Sequence, residues 1–97
     1  MYSGGVAKPE RSEAYKAWIR TLPCLLCGTT RGIEPCHTGP HGMGQKASDF
    51  TCVPACAWHH RHGKDAIDVL GKRFGEHHGI DMDELRERLN AAWRSVK

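Results

Sequence analysis

Apolar residues recur with helical spacing near the start of the chain. Between residues 10 and 22, Ala14, Trp18 and Leu22 follow one another at intervals of four. This spacing places them on one side of a helix, so we predict a helix over residues 10–22. Pro23 has no backbone N–H with which to continue the helix, and the helix is expected to stop there.

The middle of the chain predicts two strands joined by a loop. Residues 50–53 (Phe, Thr, Cys, Val) favour a strand that Pro54 is expected to end, and residues 29–36 can form a short strand before it. The stretch between them, residues 38–49, contains several glycines and is predicted to be a loop. Residues 55–62 are predicted to begin a helix.

The C-terminal part of the chain predicts two further helices. The first covers residues 65–77, where Gly71 weakens it, and Gly79 is a natural end for it. Asp81 and Glu84 then resemble a capping box at the start of the last helix. The apolar face of that helix is expected to consist of Leu85, Leu89, Ala92, Trp93 and Val96.

Length and composition fit one small domain. The chain has 97 residues, 39% of them hydrophobic, and no apolar run approaches the roughly 20 residues of a membrane span. We therefore predict a single domain over residues 1–97, with a loose arm at residues 1–9 and no membrane association. The absence of a signal-peptide pattern predicts a cytoplasmic protein. The net charge of +3 permits nucleic-acid binding without requiring it.

Cysteines and histidines are the residues most able to carry chemistry in this sequence. There are five cysteines, and all seven histidines lie between positions 37 and 78. Cys24-x-x-Cys27 in a chain without an export signal favours a metal over disulfides. Structural zinc takes four Cys or His ligands, and Cys56-x-x-His59 has the spacing expected of a second pair. The alternative second pair is Cys52 with Cys56.

Several short motifs follow one another along this sequence. They are Cys24-x-x-Cys27-Gly28, Cys36-His37-Thr38-Gly39, Gly42-Met43-Gly44-Gln45-Lys46-Ala47-Ser48-Asp49 and Pro54-Ala55-Cys56-Ala57-Trp58-His59-His60. The series resembles the short HNH, or ββα-metal, nucleases of phages and prophages, and it is similar to the RecA-dependent Ref-type nucleases. The resemblance covers residues 15–80. It implies an α+β fold with a small ββα-metal core and a zinc knuckle over residues 24–64, flanked by an N-terminal helix and by C-terminal helices over residues 65–97.

The resemblance also implies an activity and the residues that perform it. It implies a phage or prophage endonuclease that hydrolyses phosphodiester bonds in DNA, with a structural zinc, a catalytic divalent ion and His37 as the general base. Asp49 matches the loop acid that orients the base. His60, next to the zinc ligand His59, matches a ligand of the catalytic ion. Asp68 stands where relatives carry a histidine, and an aspartate suits Mg²⁺ or Mn²⁺, with Ni²⁺ or Zn²⁺ as alternatives.

Basic residues lie on or near the proposed active face. The predicted phosphate contacts are Arg31, Lys46, Arg61, Lys64, Lys72 and Arg73. DNA is therefore the expected partner. A homodimer, or a recombination or replication protein, is the further partner that would add specificity to so small a domain.

The tryptophans and the remaining histidines are expected to have other roles. The tryptophans expected in the core are Trp18, Trp58 and Trp93. The histidines expected at the surface or towards the substrate, rather than on a metal, are His41, His62, His77 and His78.

The sequence leaves two other functions open. A non-catalytic zinc module that binds nucleic acid or a protein explains the cysteine pattern and the positive charge. It does not explain why His37, Asp49 and His60 fall at nuclease spacing. A degenerate nuclease would keep the fold but lack the second ligand of the catalytic metal at Asp68.

Overall fold

A hairpin of two antiparallel strands lies in the middle of the fold, and helices from both ends of the chain pack against it. The computed structural model describes residues 11–39 and 48–96, so Lys46 and most of the predicted loop lie outside the described residues. The strands and helices are α1 (Glu13–Ile19), β1 (Ile33–His37), β2 (Cys52–Cys56), α2 (Ile67–Leu70), α3 (Phe74–His78) and α4 (Met82–Val96). The protein is a small α+β domain, as predicted.

The two strands pair in a register that places proline opposite proline. His37 lies opposite Cys52, and Pro35 lies opposite Pro54. Because neither proline has an N–H, this pair sits where the ladder exchanges no hydrogen bonds. The prediction that Pro54 ends the second strand is therefore wrong, since Pro54 occupies its centre. The first strand, predicted within residues 29–36, is observed at Ile33–His37.

The first helix is shorter than predicted because its cap lies inside the predicted range. The Ser12 hydroxyl accepts a hydrogen bond from the N–H of Tyr15 at 3.1 Å, which starts α1 at Glu13 rather than at residue 10. The helix ends at Ile19, before Pro23 is reached. Tyr15 and Ile19 are both fully buried, so this short helix presents one apolar side to the hairpin.

The helix predicted over residues 65–77 is broken near its middle. Gly71 has φ 55° and ψ −126°, a backbone conformation that favours glycine, so α2 ends there and a short 3-10 turn leads into α3. The predicted end of this region at Gly79 is confirmed. The predicted cap at Asp81 is also confirmed, since its carboxylate accepts a hydrogen bond from the N–H of Glu84 at 3.0 Å.

The helix predicted over residues 55–62 is a single widened turn. Residues Trp58–His62 form a π-helical turn, named here the π turn, which the N–H of Gly63 closes by donating to the carbonyl of Trp58 at 2.8 Å. Trp58 itself is 60% exposed. The prediction that this tryptophan lies in the core is wrong, because the turn directs the indole outwards while the neighbouring strand enters the core.

Two groups of buried side chains hold the hairpin between the helices. The group shared with α2 and α3 contains Ile33, Val53, Ala55, Ile67 and Phe74. The group shared with α1 contains Tyr15, Ile19 and Cys52, with Trp18 and Trp93 packed against it. Over residues 11–39 and 48–96, no helix has the length and apolar character needed to cross a bilayer.

Candidate functional site

Four residues from three separate segments converge beside the end of the hairpin. Cys24 and Cys27 come from the turn before β1, Cys56 ends β2, and His59 belongs to the π turn. Their ligand atoms all lie within 4.8 Å of one another. The fold therefore brings together the two predicted ligand pairs, Cys24 with Cys27 and Cys56 with His59. Cys52, the alternative ligand, lies instead beside His37 and Asp49.

Three distances within this four-ligand cluster are close to those expected around a tetrahedral zinc ion. Zinc bonds of about 2.3 Å to sulfur and about 2.0–2.1 Å to nitrogen imply separations of about 3.8 Å between sulfurs and about 3.6 Å between sulfur and nitrogen. The Sγ atoms of Cys27 and Cys56 are 3.9 Å apart. The Nδ1 atom of His59 lies 3.5 Å from Sγ of Cys24 and 3.3 Å from Sγ of Cys56. The cluster is a possible metal site compatible with zinc.

The turn that carries the first two cysteines is closed by its own backbone. The N–H of Cys24 donates to the carbonyl of Thr29 at 2.8 Å, and the N–H of Gly28 donates back to the carbonyl of Cys24 at 3.0 Å. Gly28 has φ 75°, which suits a glycine at this position. The N–H of Leu25 donates to the carbonyl of Pro54 at 3.0 Å and ties the turn to β2.

The backbone also prepares Cys24 to act as a thiolate. Burial alone would raise the pKa of Cys24, but the N–H groups of Cys27, Cys56 and Leu26 and the side chain of His59 lower it to about 6. A thiolate is the form of cysteine that binds metals. The local fold therefore favours the ligand form of this residue at neutral pH.

His37 and Asp49 form a second, separate pair. Nε2 of His37 lies 2.7 Å from Oδ1 of Asp49, whose carboxylate is fully buried. The other contacts of Asp49 come from the N-terminal segment: the N–H of Ser12 at 2.8 Å, Arg11 at 3.3 Å and Lys16 at 3.7 Å. An ionised carboxylate only accepts hydrogen bonds, so Nε2 of His37 carries a proton. The predicted orienting role of Asp49 is thus geometrically available.

Asp49 is expected to remain ionised at neutral and mildly acidic pH. Burial alone would raise its pKa, but hydrogen bonds from His37 and the N–H of Ser12, with the charge of Lys16, lower the pKa from 3.8 to about 2. The stability contributed by this carboxylate is therefore complete above about pH 4 and is lost as the pH falls through about 2. We expect its ¹³C carboxyl resonance to keep the position of an ionised carboxylate between about pH 4.5 and 8. A shift to the position of a protonated carboxyl group inside that range would contradict this arrangement.

The chain just after His37 is held by the last helix. Arg86 of α4 donates to the carbonyl of Thr38 at 3.3 Å and to its hydroxyl at 3.0 Å, and it also pairs with Asp83. The hydroxyl of Thr38 in turn donates to the carbonyl of Thr51 at 2.8 Å. These contacts fix the end of β1, where His37 lies, to the start of β2.

His60 has a carboxylate on each side of its ring. Nδ1 lies 2.6 Å from Oε1 of Glu34 on β1, and Nε2 lies 3.7 Å from Oδ1 of Asp68 on α2. The hydrogen bond from His60, followed by that from Arg61, lowers the pKa of Glu34. Sequence reasoning missed Glu34. The sequence feature that could have pointed to Glu34 is its position as an acidic residue inside a short strand that also carries the candidate base His37.

The two histidine pairs remain separate among the described residues. No hydrogen bond or ion pair links His37 and Asp49 to His60 and Asp68 over residues 11–39 and 48–96. Burial, followed by the negative charge of Asp68, raises the pKa of Cys36, the residue before His37. Asp68 therefore acts electrostatically on the strand that carries the candidate base.

The predicted phosphate contacts differ in their surroundings. Arg61 is engaged by Glu34 at 2.7 Å. Of the predicted phosphate contacts within the described residues, all are exposed: Arg31, Arg61, Lys64, Lys72 and Arg73. Lys46 lies outside the described residues.

Comparison with known proteins gives a family but no activity. The family model DUF968, whose description is "Protein of unknown function", matches residues 7–95. The "Uncharacterized protein YdfU" of Escherichia coli (strain K12) is 41% identical over 51 residues, which are 50% of this chain and 14% of that protein. The chain thus matches a small part of that relative's length. No solved structure matches the chain.

Proposed function

We propose that this chain, which belongs to the DUF968 family, is a metal-dependent DNA endonuclease of the ββα-metal (HNH) kind with a structural zinc. No activity is described for the family, so the proposal is made from the site of this chain. The observation that carries the proposal is the buried Asp49 carboxylate 2.7 Å from Nε2 of His37. It gives a hairpin histidine a fixed orientation and a defined tautomer. The same hairpin and the π turn bring together the four-ligand cluster and His60.

His37 is suited to take a proton from water. Its Nε2–H is donated to Asp49, which leaves the lone pair of Nδ1 as the basic site. The side chain is 35% exposed, so water can reach the ring. When Nδ1 takes a proton, the ionised Asp49 stabilises the imidazolium that forms. A carboxylate that stays ionised to about pH 2 supplies this charge over the whole physiological range.

His60 and Asp68 are suited to hold a divalent ion. Glu34 accepts the Nδ1–H of His60, so the lone pair of Nε2 faces Asp68. A carboxylate that orients a ligand histidine in this way is a recurring feature of metal sites. A divalent ion bound there would neutralise charge on the scissile phosphate and the leaving oxygen. Two protein ligands suit Mg²⁺ or Mn²⁺, which keep water and substrate oxygens in their remaining positions.

The zinc proposed for the four-ligand cluster has a structural role. Cys24, Cys27 and Cys56 with His59 join the turn before β1, the end of β2 and the π turn. His60 follows His59 directly, so zinc bound there fixes the position of the residue that faces Asp68. The four side chains would supply all four ligands of a tetrahedral ion and leave no position for substrate, as in sites that stabilise rather than react.

The proposed activity is tested by nicking of supercoiled plasmid. We expect the zinc-loaded full chain to convert supercoiled DNA to open circles with Mg²⁺, Mn²⁺ or Ni²⁺, and to stop in EDTA because the catalytic ion is removed. The zinc content is measured after the EDTA treatment, so that loss of structural zinc is not mistaken for loss of the catalytic ion. His62→Ala is the matched control, since His62 is an exposed histidine of the same π turn.

The alternative function has its own signature in this experiment. If the chain binds plasmid in a gel-shift assay but nicks it with none of these ions, a non-catalytic zinc module replaces the nuclease proposal. A degenerate nuclease is indicated if Asp68→His, which supplies the histidine of the related nucleases, creates nicking that the wild-type chain lacks.

A further inference from the structure

We propose that Asp65, His77 and His78 form a second metal site, which takes a divalent transition-metal ion such as Ni²⁺, Co²⁺ or Zn²⁺. Their ligand atoms all lie within 4.8 Å of one another. The site shares no residue with the four-ligand cluster or with His60 and Asp68. It does not depend on the proposed nuclease activity. It also departs from the expectation that these two histidines have no role in metal binding.

The fold brings these three side chains together from two segments. Asp65 lies in the turn between the π turn and α2, and the two histidines end α3. Neighbouring side chains of a helix normally diverge by about 100°. Here the rings of His77 and His78 have their centroids 4.8 Å apart, at an interplanar angle of 80°. Both rings therefore present nitrogens to the same small volume beside Asp65.

His78 is already held in position. Its Nε2 donates to the backbone carbonyl of Asp65 at 3.0 Å and lies 3.9 Å from the carboxylate of the same residue. Its ring packs on Phe74, with centroids 4.6 Å apart, and Phe74 is buried in the core. The side chain of His78 is only 14% exposed. An ion at Nε2 would displace the hydrogen bond to the carbonyl of Asp65, but the packing of the ring on Phe74 would remain, so the side chain would lose little further entropy on binding.

The donor set decides which ions the site would take. Two imidazoles and one carboxylate suit borderline ions such as Ni²⁺, Co²⁺ and Zn²⁺ better than Mg²⁺, which prefers oxygen alone. Around such an ion, ligand atoms are separated by about 3.0–3.4 Å. The Asp65 carboxylate, 3.9 Å from Nε2 of His78, would have to move closer to reach this separation when an ion binds. The proton on Nε2 of His78 moves to Nδ1 when the ion takes its place.

An ion bound here would join two parts of the chain that follow the proposed catalytic site. Asp65 comes shortly after the π turn, and His77 and His78 end the helix whose Phe74 enters the core beside the hairpin. Binding to the folded state alone stabilises it in proportion to the logarithm of the ion concentration. The site would therefore couple the stability of this region to the supply of transition metal.

The test uses the full, tag-free chain with its four-ligand cluster already loaded with zinc and with His60→Ala as the background, so that neither other site takes added nickel. We expect Ni²⁺ to bind with a stoichiometry of one. The imidazole ¹⁵N resonances of His77 and His78 should broaden first, before that of His62. His77→Ala and Asp65→Asn should each weaken Ni²⁺ binding at least about 10-fold, since even loss of a ligand's supporting hydrogen bond costs about 10–100-fold.

The controls separate binding from folding. His62→Ala should leave the affinity unchanged, because His62 is exposed and lies outside the cluster. His77 is exposed, so its replacement should keep zinc content and circular dichroism as in the parent protein. If nickel broadens His62 as strongly as His77 and His78, or if His77→Ala and Asp65→Asn bind it with parental affinity, the proposed site is overturned.

Discussion

Cys24→Ser and Cys56→Ser are each expected to abolish zinc binding and unfold the protein, whereas Cys52→Ser is expected to preserve zinc binding and the fold. Zinc at a four-ligand Cys/His site contributes an apparent free energy of about 10–16 kcal/mol. The total stability of a domain is about 5–15 kcal/mol. Loss of one ligand from the cluster therefore removes enough free energy to unfold a chain of 97 residues. Zinc per chain by elemental analysis and circular dichroism measure the two effects.

Cys52→Ser is the matched control for Cys56→Ser because it also replaces a cysteine sulfur by oxygen in strand β2. Cys52 is fully buried beside Tyr15 and Ile19, and burial, followed by the charge of Asp49, raises its pKa to about 12. It is a packed neutral thiol, and a buried hydroxyl in its place costs about 1–3 kcal/mol without affecting zinc. A folded wild-type protein without metal would contradict the zinc proposal. Zinc kept in Cys56→Ser but lost in Cys52→Ser would move the second ligand pair.

His37→Ala is expected to lower the DNA nicking rate by about 10²–10⁴-fold, the usual contribution of a general base. The loss should come from the chemical step, because His37 is proposed to act only on the attacking water. Zinc content and stability should change little. His37 lies outside the four-ligand cluster, and without it Asp49 still accepts from the N–H of Ser12 and pairs with Arg11 and Lys16. Single-turnover nicking, zinc content and urea unfolding are measured on the same preparation.

Metal dependence distinguishes the base from the metal ligands. His60→Ala should also stop nicking, but excess Mn²⁺ should partly restore it because the lesion is weakened metal binding. Glu34→Gln should follow the same pattern, since Glu34 acts through His60. His37→Ala should not respond to Mn²⁺. His62→Ala, in the same turn as His60, should nick at the wild-type rate.

Two results with His37→Ala would change the assignment in different ways. Nicking at the wild-type rate would show that the nuclease site is wrongly placed, even if the zinc cluster is right. Unfolding with loss of zinc would make His37 a structural ligand, and the second ligand pair would then have to be redrawn.

Features that depend on neighbouring residues could be predicted from the sequence. Cys24-x-x-Cys27 and Cys56-x-x-His59 each place two ligands within one turn, so their spacing favoured the four-residue set that the fold brings together, and the structure decided against the alternative ligand Cys52. The cap at Asp81 and the helix end at Gly79 were also predictable. Caps and helix ends satisfy backbone groups within a few residues, and the residue type determines how well they do so.

Features that depend on the pairing of distant segments were decided only by the tertiary structure. Pro54 could lie inside a strand because the register places it opposite Pro35. Glu34 reaches His60 because the hairpin and the π turn pack together, although the two residues are 26 positions apart in the sequence. Asp65 lies close to His77 and His78 because helix α2 ends at Gly71, where the chain changes direction before α3. In each case the contact is set by how the hairpin and helices pack, which no local spacing of residue types encodes.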